Sequence, residues 1–127
     1  MKLLLDTHTF LWAFDRPEAL SSTVRDALLD PLVERWVSVI ALAEIAVKAQ
    51  KGLLDLPLTR DFYLDQAARL RATFLPVGVL HCFALFSLPR LHGDPFDRLL
   101  IAQAKAEGLT IATHDRAFAA YDVPTIW

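Results

Sequence analysis

His92-Gly93-Asp94-Pro95-Phe96-Asp97-Arg98-Leu99-Leu100-Ile101-Ala102-Gln103-Ala104-Lys105-Ala106-Glu107-Gly108 reads as one helix with both ends marked. Asp94 suits the N-cap, where its carboxylate accepts from open backbone N–H groups of the first turn. Pro95 suits the first helical position, where a missing N–H costs nothing. Gly108 suits the left-handed position that closes a helix. Between them Leu99, Leu100, Ile101, Ala102, Ala104 and Ala106 leave few polar positions, so most of the helix is expected to be buried. Capping accounts for Asp94. Asp97, in the first turn, is open to two readings: it complements the helix dipole, or it belongs to a site. Other carboxylates converging on the same place would decide.

The 127 residues suit one domain with one core. The chain is 54% hydrophobic and 22% charged, which places it among globular proteins. A mean hydropathy of +0.35 implies either a large core or apolar surface that meets a partner. No apolar run approaches a membrane span, and Asp6 ends the first one before it resembles a signal peptide. Cys82 is the single cysteine; it excludes an internal disulfide, fits a reducing compartment and is expected to be a buried structural thiol. A net charge of −2 does not advertise a nucleic-acid binder, although nine of the thirteen basic residues are arginine, suited to bidentate phosphate contact.

Working outward, Lys2 to Thr7 reads as a buried strand that emerges at Asp6, followed by a helix over Thr9 to Phe14 that Asp15-Arg16-Pro17 breaks. Ser21 or Ser22 caps a helix over Thr23 to Asp30. Trp36 to Val39 reads as a strand and Ile40 to Gln50 as a helix, with Ala41, Leu42, Ile45, Ala46 and Ala49 as its apolar stripe. Leu53 to Pro57 is a connector, and Thr59 caps a helix over Arg60 to Arg71. Thr73 to Val77 is an edge strand because of Pro76. Leu80 to Leu88 is an apolar helix, Leu109 to Thr113 a buried strand ending at His114-Asp115, Arg116 to Tyr121 a short helix, and Pro124 to Trp127 a last extended piece. Continuous apolar strands alternating with helices specify an α/β fold: a mainly parallel sheet of four to five strands with helices on both faces.

In open α/β sheets ligands bind beyond the carboxyl ends of the strands. Asp6 and Asp115 stand at two such ends, and Glu44 and Asp97 lie near the starts of helices that begin on that side. Lys48, four residues after Glu44, offers the simpler reading of a surface ion pair. Four carboxylates on one rim repel unless a hard divalent cation such as Mg²⁺ or Mn²⁺ joins them, and such a site suits phosphoester chemistry. His8, His81, His92 and His114 lack zinc-ligand spacing and read as loop or surface residues, with His114 notable for abutting Asp115. The four glycines are isolated, which disfavours a phosphate-binding loop. Asp6-Thr7-His8 lacks the second aspartate that haloacid-dehalogenase phosphatases carry.

These residues resemble PIN-domain ribonucleases, most closely the toxins of VapBC toxin–antitoxin modules. Four stretches carry the likeness: Leu4-Leu5-Asp6-Thr7-His8 with Leu11-Trp12; Ser38-Val39 with Ala43-Glu44-Ile45; His92 to Ala104; and Thr113-His114-Asp115 with Phe118. The resemblance implies a single PIN domain over 1–127 and a cytoplasmic Mg²⁺- or Mn²⁺-dependent endoribonuclease. Its implied partners are an RNA substrate, a VapB-type antitoxin and a second copy in a homodimer, with no membrane. It makes Asp6, Glu44, Asp97 and Asp115 the catalytic, metal-binding quartet, with Asp6 and Asp97 as main ligands. Thr7 and Thr113 are expected to hydrogen-bond these acids. Arg98 and Arg116 are expected to meet RNA phosphates or to salt-bridge to the rim. Trp12, Phe14, Phe83, Phe86 and Leu88 are candidates for a partner surface, with core packing the simpler expectation. The rival reading is a non-catalytic PIN-like module that binds RNA or protein.

Overall fold

The computed structural model describes residues 1–127. Five strands, β1 (Lys2–Leu5), β2 (Glu34–Ser38), β3 (Ala72–Leu75), β4 (Thr110–Ala112) and β5 (Thr125–Ile126), form one sheet in the order β3-β2-β1-β4-β5. Every pairing is parallel, with Leu4 opposite Trp36 on one side and Ile111 on the other. The helices are α1 (Thr7–Asp15), α2 (Ser22–Leu29), α3 (Val39–Gln50), α4 (Arg60–Arg69), α5 (Val79–Ser87) and α6 (Pro95–Glu107), with 3-10 turns at Pro17–Ala19 and Arg116–Tyr121.

Strand periodicity divides the core. Leu3 and Leu5 point to one face, where Phe10, Val24, Ala41 and Ile45 of α1, α2 and α3 cover them. Leu4 and Ile111 point to the other, against Leu100, Ile101 and Ala104 of α6 and Phe118. The central leucines are fully buried, worth about 1.5–3 kcal/mol each in transfer free energy.

The chain builds β1, β2 and β3 outward, then returns across α5 and α6 to place β4 on the opposite side of β1. The carboxyl ends of β1 and β4 therefore flank the point where the winding reverses, the usual ligand crevice of such sheets. Asp6 follows β1, and its N–H donates to Ala112 O at 3.2 Å, tying the two ends together.

The α6 ends are as read: Asp94 accepts from Phe96 and Asp97 N–H, Pro95 follows, and Gly108 is left-handed at φ 67°. Ala106 is exposed, so the buried face is Leu100 to Ala104. It includes Gln103, which accepts from Ser38 Oγ and donates to Pro76 O at 3.2 Å. Ser21, not Ser22, caps α2, and β3 is an edge strand.

The helix α5 departs from expectation. Its sequence is apolar nearly all round and gives no stripe, so which face lies inward is decided by α6. His81 turns inward, accepting from Gly78 N–H and meeting Glu107 Oε1 at 2.9 Å, and is no surface residue. Cys82 is exposed, not a buried thiol. Phe83 and Phe86 are exposed, Phe86 by 86%, whereas Leu88 is core and Trp12 and Phe14 are half-buried. No helix is long and apolar enough to cross a membrane.

Candidate active site

The four sequence-chosen acids come from four elements, and each is held by its own local chemistry. Asp6 caps α1, accepting from Thr9 N–H at 2.8 Å, and is only 6% exposed. Burial raises its pKa, which hydrogen bonds from Thr113 and Thr9 partly offset. Glu44 lies in the second turn of α3, 3% exposed, with Oε1 accepting from Thr7 Oγ1 at 2.7 Å and Oε2 held by Lys48 Nζ at 2.6 Å. The ion pair with Lys48 is therefore present, but its acid is buried: Glu44 is held on both oxygens, while the Lys48 side chain remains 33% exposed.

Asp97 projects from the first turn of α6, its side chain 19% exposed. Burial, and then the negative charges of Asp94, Glu44 and Asp6, push its carboxyl up to about 7, with His92 opposing them. These mutual influences are the signature of carboxylates crowded into one space with too little positive charge. Asp115, 47% exposed, caps the Arg116–Tyr121 turn by accepting from Ala117 N–H at 2.9 Å. One ligand atom each from His92, Asp97 and Asp115 lie within 4.8 Å of one another. Asp6 and Asp115 line a common open cleft. The structure thus brings Asp97 to Asp115 and sets Asp6 beside Asp115, while Glu44 acts on Asp97 through its charge. Asp94 caps α6 as read and also loads Asp97 with negative charge.

His92, read from sequence as an ordinary loop histidine, faces the acids. Its Nε2 lies 3.1 Å from Asp97 Oδ2 and 3.5 Å from Asp115 Oδ2, off the line of a hydrogen bond, and is buried without another partner. Its Nδ1 accepts from Asp94 N–H at 3.2 Å. That bond uses the Nδ1 lone pair and leaves the proton on Nε2, so His92 presents a donor to the carboxylates rather than a metal-ligating lone pair.

Arg98 makes no salt bridge to the acidic rim. Its guanidinium donates to Pro89 O at 2.7 Å, Leu88 O at 3.3 Å and the Tyr121 hydroxyl at 3.2 Å. Tyr121 in turn accepts from the Leu91 and His92 N–H groups. The pair fastens the loop that aims His92. Arg116 forms no ion pair and borders the cleft.

Hard oxygen donors with excess negative charge fit a divalent ion of the Mg²⁺ or Mn²⁺ kind. Lys48 is the cation ion-paired among them; its pKa is raised by the hydrogen bond to Glu44 and by the charges of Glu44, Asp94 and Asp97.

The chain is similar to known proteins in sequence and in fold. The PIN-domain sequence profile matches residues 3–124. Over 131 aligned residues the chain is 30% identical to Ribonuclease VapC22 of Mycobacterium tuberculosis (strain ATCC 25618 / H37Rv), covering 98% of each protein. Its fold is similar to that in the crystal structure of VapBC2 from Rickettsia felis bound to a promoter DNA fragment, with TM-score 0.73 and 18% identity over 99% of this chain and 98% of that one. It is also similar to DNA-bound VapBC from Salmonella typhimurium, with TM-score 0.70 and 18% identity over 99% and 97% of the two chains. With a profile match across nearly its whole length and a full-length relative at 30% identity, the chain belongs to the PIN-domain family.

Proposed function

We propose that this chain, acting as one PIN domain over 1–127, is a divalent-metal-dependent endoribonuclease and the toxin of a type II toxin–antitoxin module. The observation that carries the reading is that Asp97 meets Asp115 and Asp115 shares a cleft with Asp6 at the reversal point of the sheet, while burial and the charges of Asp94, Glu44 and Asp6 hold the Asp97 carboxyl at about 7. The full-length relative is a ribonuclease by name, and the similar folds occur in toxin–antitoxin complexes. A module that only binds RNA or protein has no need to crowd four acids against a single lysine.

Asp6 and Asp97 are the main metal ligands in this reading, and Asp115 completes the oxygen set. When bound, Mg²⁺, or Mn²⁺ in its place, supplies neutralisation of the scissile phosphate, a water of lowered pKa and stabilisation of the leaving oxygen. Glu44, immobilised by Thr7 and Lys48, orients the attacking water. His92, with its proton on Nε2, faces Asp97 and Asp115 and eases the repulsion between them. RNA is the substrate, and a cytoplasmic setting follows from acting on cellular RNA. A VapB-type antitoxin and a second copy of the chain are its partners. The apolar groove of Leu42, Ala46, Leu58, Leu64 and Phe74, and the exposed Val79, Leu80, Phe83 and Phe86, support burial against such partners.

The test is incubation of the purified chain with matched RNA and DNA strands and with a pool of transfer and ribosomal RNA, with Mg²⁺, Mn²⁺ or EDTA. Discrete RNA fragments that require the metal support the reading. No cleavage of any strand by folded protein overturns it, and DNA cleavage alone replaces the substrate.

A further inference from the structure

Beside the acids lies an open cleft of about 450 Å³ lined by Asp6, His8, Trp12, His114, Asp115 and Arg116. The metal chemistry uses two of these residues and leaves its aromatic wall unexplained. The Trp12 indole is the hub: its centroid is 5.7 Å from His8, 6.2 Å from His114 and 5.9 Å from Trp127, and His114 is 5.2 Å from Trp127. Trp12 and Trp127 rest on the core, which fixes their planes. His8 and His114 stand exposed, and neither takes part in an ion pair. The histidine rings meet the indoles at tilts of 49°, 59° and 53°, and both histidines are exposed, so the cluster offers aromatic surface to the cleft. Arg116 is an unpaired cation at the same mouth.

Ring faces beside a free cation and an acidic metal site match an unpaired nucleotide: the base stacks, and its phosphates lie against the arginine and the metal. We propose that this cleft is a nucleobase subsite that holds one unstacked base of single-stranded RNA beside the phosphate to be cut. This rests on the ribonuclease reading and adds a substrate requirement to it. A paired base keeps its faces inside the helix stack, so the nucleotide entering here must be unpaired.

The experiment uses the Asp97→Asn chain, which binds without cutting. It is titrated, with anisotropy as readout, against fluorescein-labelled decaadenylate and a decamer of the same backbone lacking bases. Stacking of one base predicts about tenfold tighter binding of the adenylate. Adding His114→Ala, an exposed position whose truncation spares the fold, shrinks that advantage to about twofold, as does Trp12→Leu, while affinity for the abasic decamer is unchanged. Equal affinity for the two decamers, or a full base advantage in both variants, overturns the subsite. Cleavage of single-stranded RNA by the unmutated chain is measured alongside. Cutting without a base advantage removes the subsite and leaves the ribonuclease; neither cutting nor binding removes both.

Discussion

Asp97→Asn separates stability from activity in the way a buried carboxylate crowded by other acids produces. In the metal-free fold the Asp97 carboxyl titrates at about 7 instead of the ordinary 3.8. Taken alone, that displacement disfavours the ionised form by ~4 kcal/mol. Partial exposure and relaxation of the neighbouring acids reduce the figure to about 2 kcal/mol. The sign follows from linkage. A group with a raised folded pKa binds more protons folded than unfolded, so its stability is fully present below 3.8 and is lost as pH rises through about 7. Asparagine has the same shape and no charge. In EDTA at pH 8 the variant should therefore melt higher than the unmutated chain by roughly 6 °C for a domain of this size. The gap should close as pH falls toward 4. Mg²⁺ or Mn²⁺ should raise the melting temperature of the unmutated chain and leave the variant nearly unmoved, and the variant should not cut RNA. A variant that melts at or below the unmutated chain at pH 8 in EDTA would refute the crowding on which the metal site rests.

Lys48→Met removes the cation that neutralises buried Glu44 and is expected to cost about 3 kcal/mol without metal. It should also tighten Mn²⁺ binding roughly tenfold, since a unit charge no longer opposes the ion; denaturant unfolding and calorimetric titration read the two effects. Asp94→Asn preserves the α6 cap and should change stability by under ~0.5 kcal/mol. A folded but inactive Asp94→Asn protein would place Asp94 among the metal ligands. Tyr121→Phe leaves the Leu91 and His92 N–H groups short of an acceptor. It should cost about 1–3 kcal/mol by denaturant midpoint and slow cleavage by loosening the His92 loop.

Most of the scaffold is written in short-range chemistry. The ends of α6 follow from Asp94, Pro95 and Gly108, and β1 and β4 from apolar runs ended by polar residues. That the four candidate acids fall on one side of the sheet was legible because strand ends and helix starts share that side in a parallel sheet. What was not legible depends on distant partners. His92 is aimed by Tyr121, 29 residues away, and Arg98 is drawn from the rim by carbonyls of the preceding loop. His81 is buried because Glu107 on α6 meets it, and that rotation of α5 puts Cys82, Phe83 and Phe86 outside. An all-round apolar helix holds no local record of its inward face. Lys48 was visible as an i,i+4 partner of Glu44, but the burial that makes the pair part of the site was not.

The most direct test of the acidic centre is anomalous scattering from crystals of the chain soaked in Mn²⁺. The account predicts a peak bounded by the carboxylates of Asp6, Asp97 and Asp115, lost in Asp97→Asn crystals. A fully soaked crystal with no peak there, or with manganese bound only elsewhere, would contradict it.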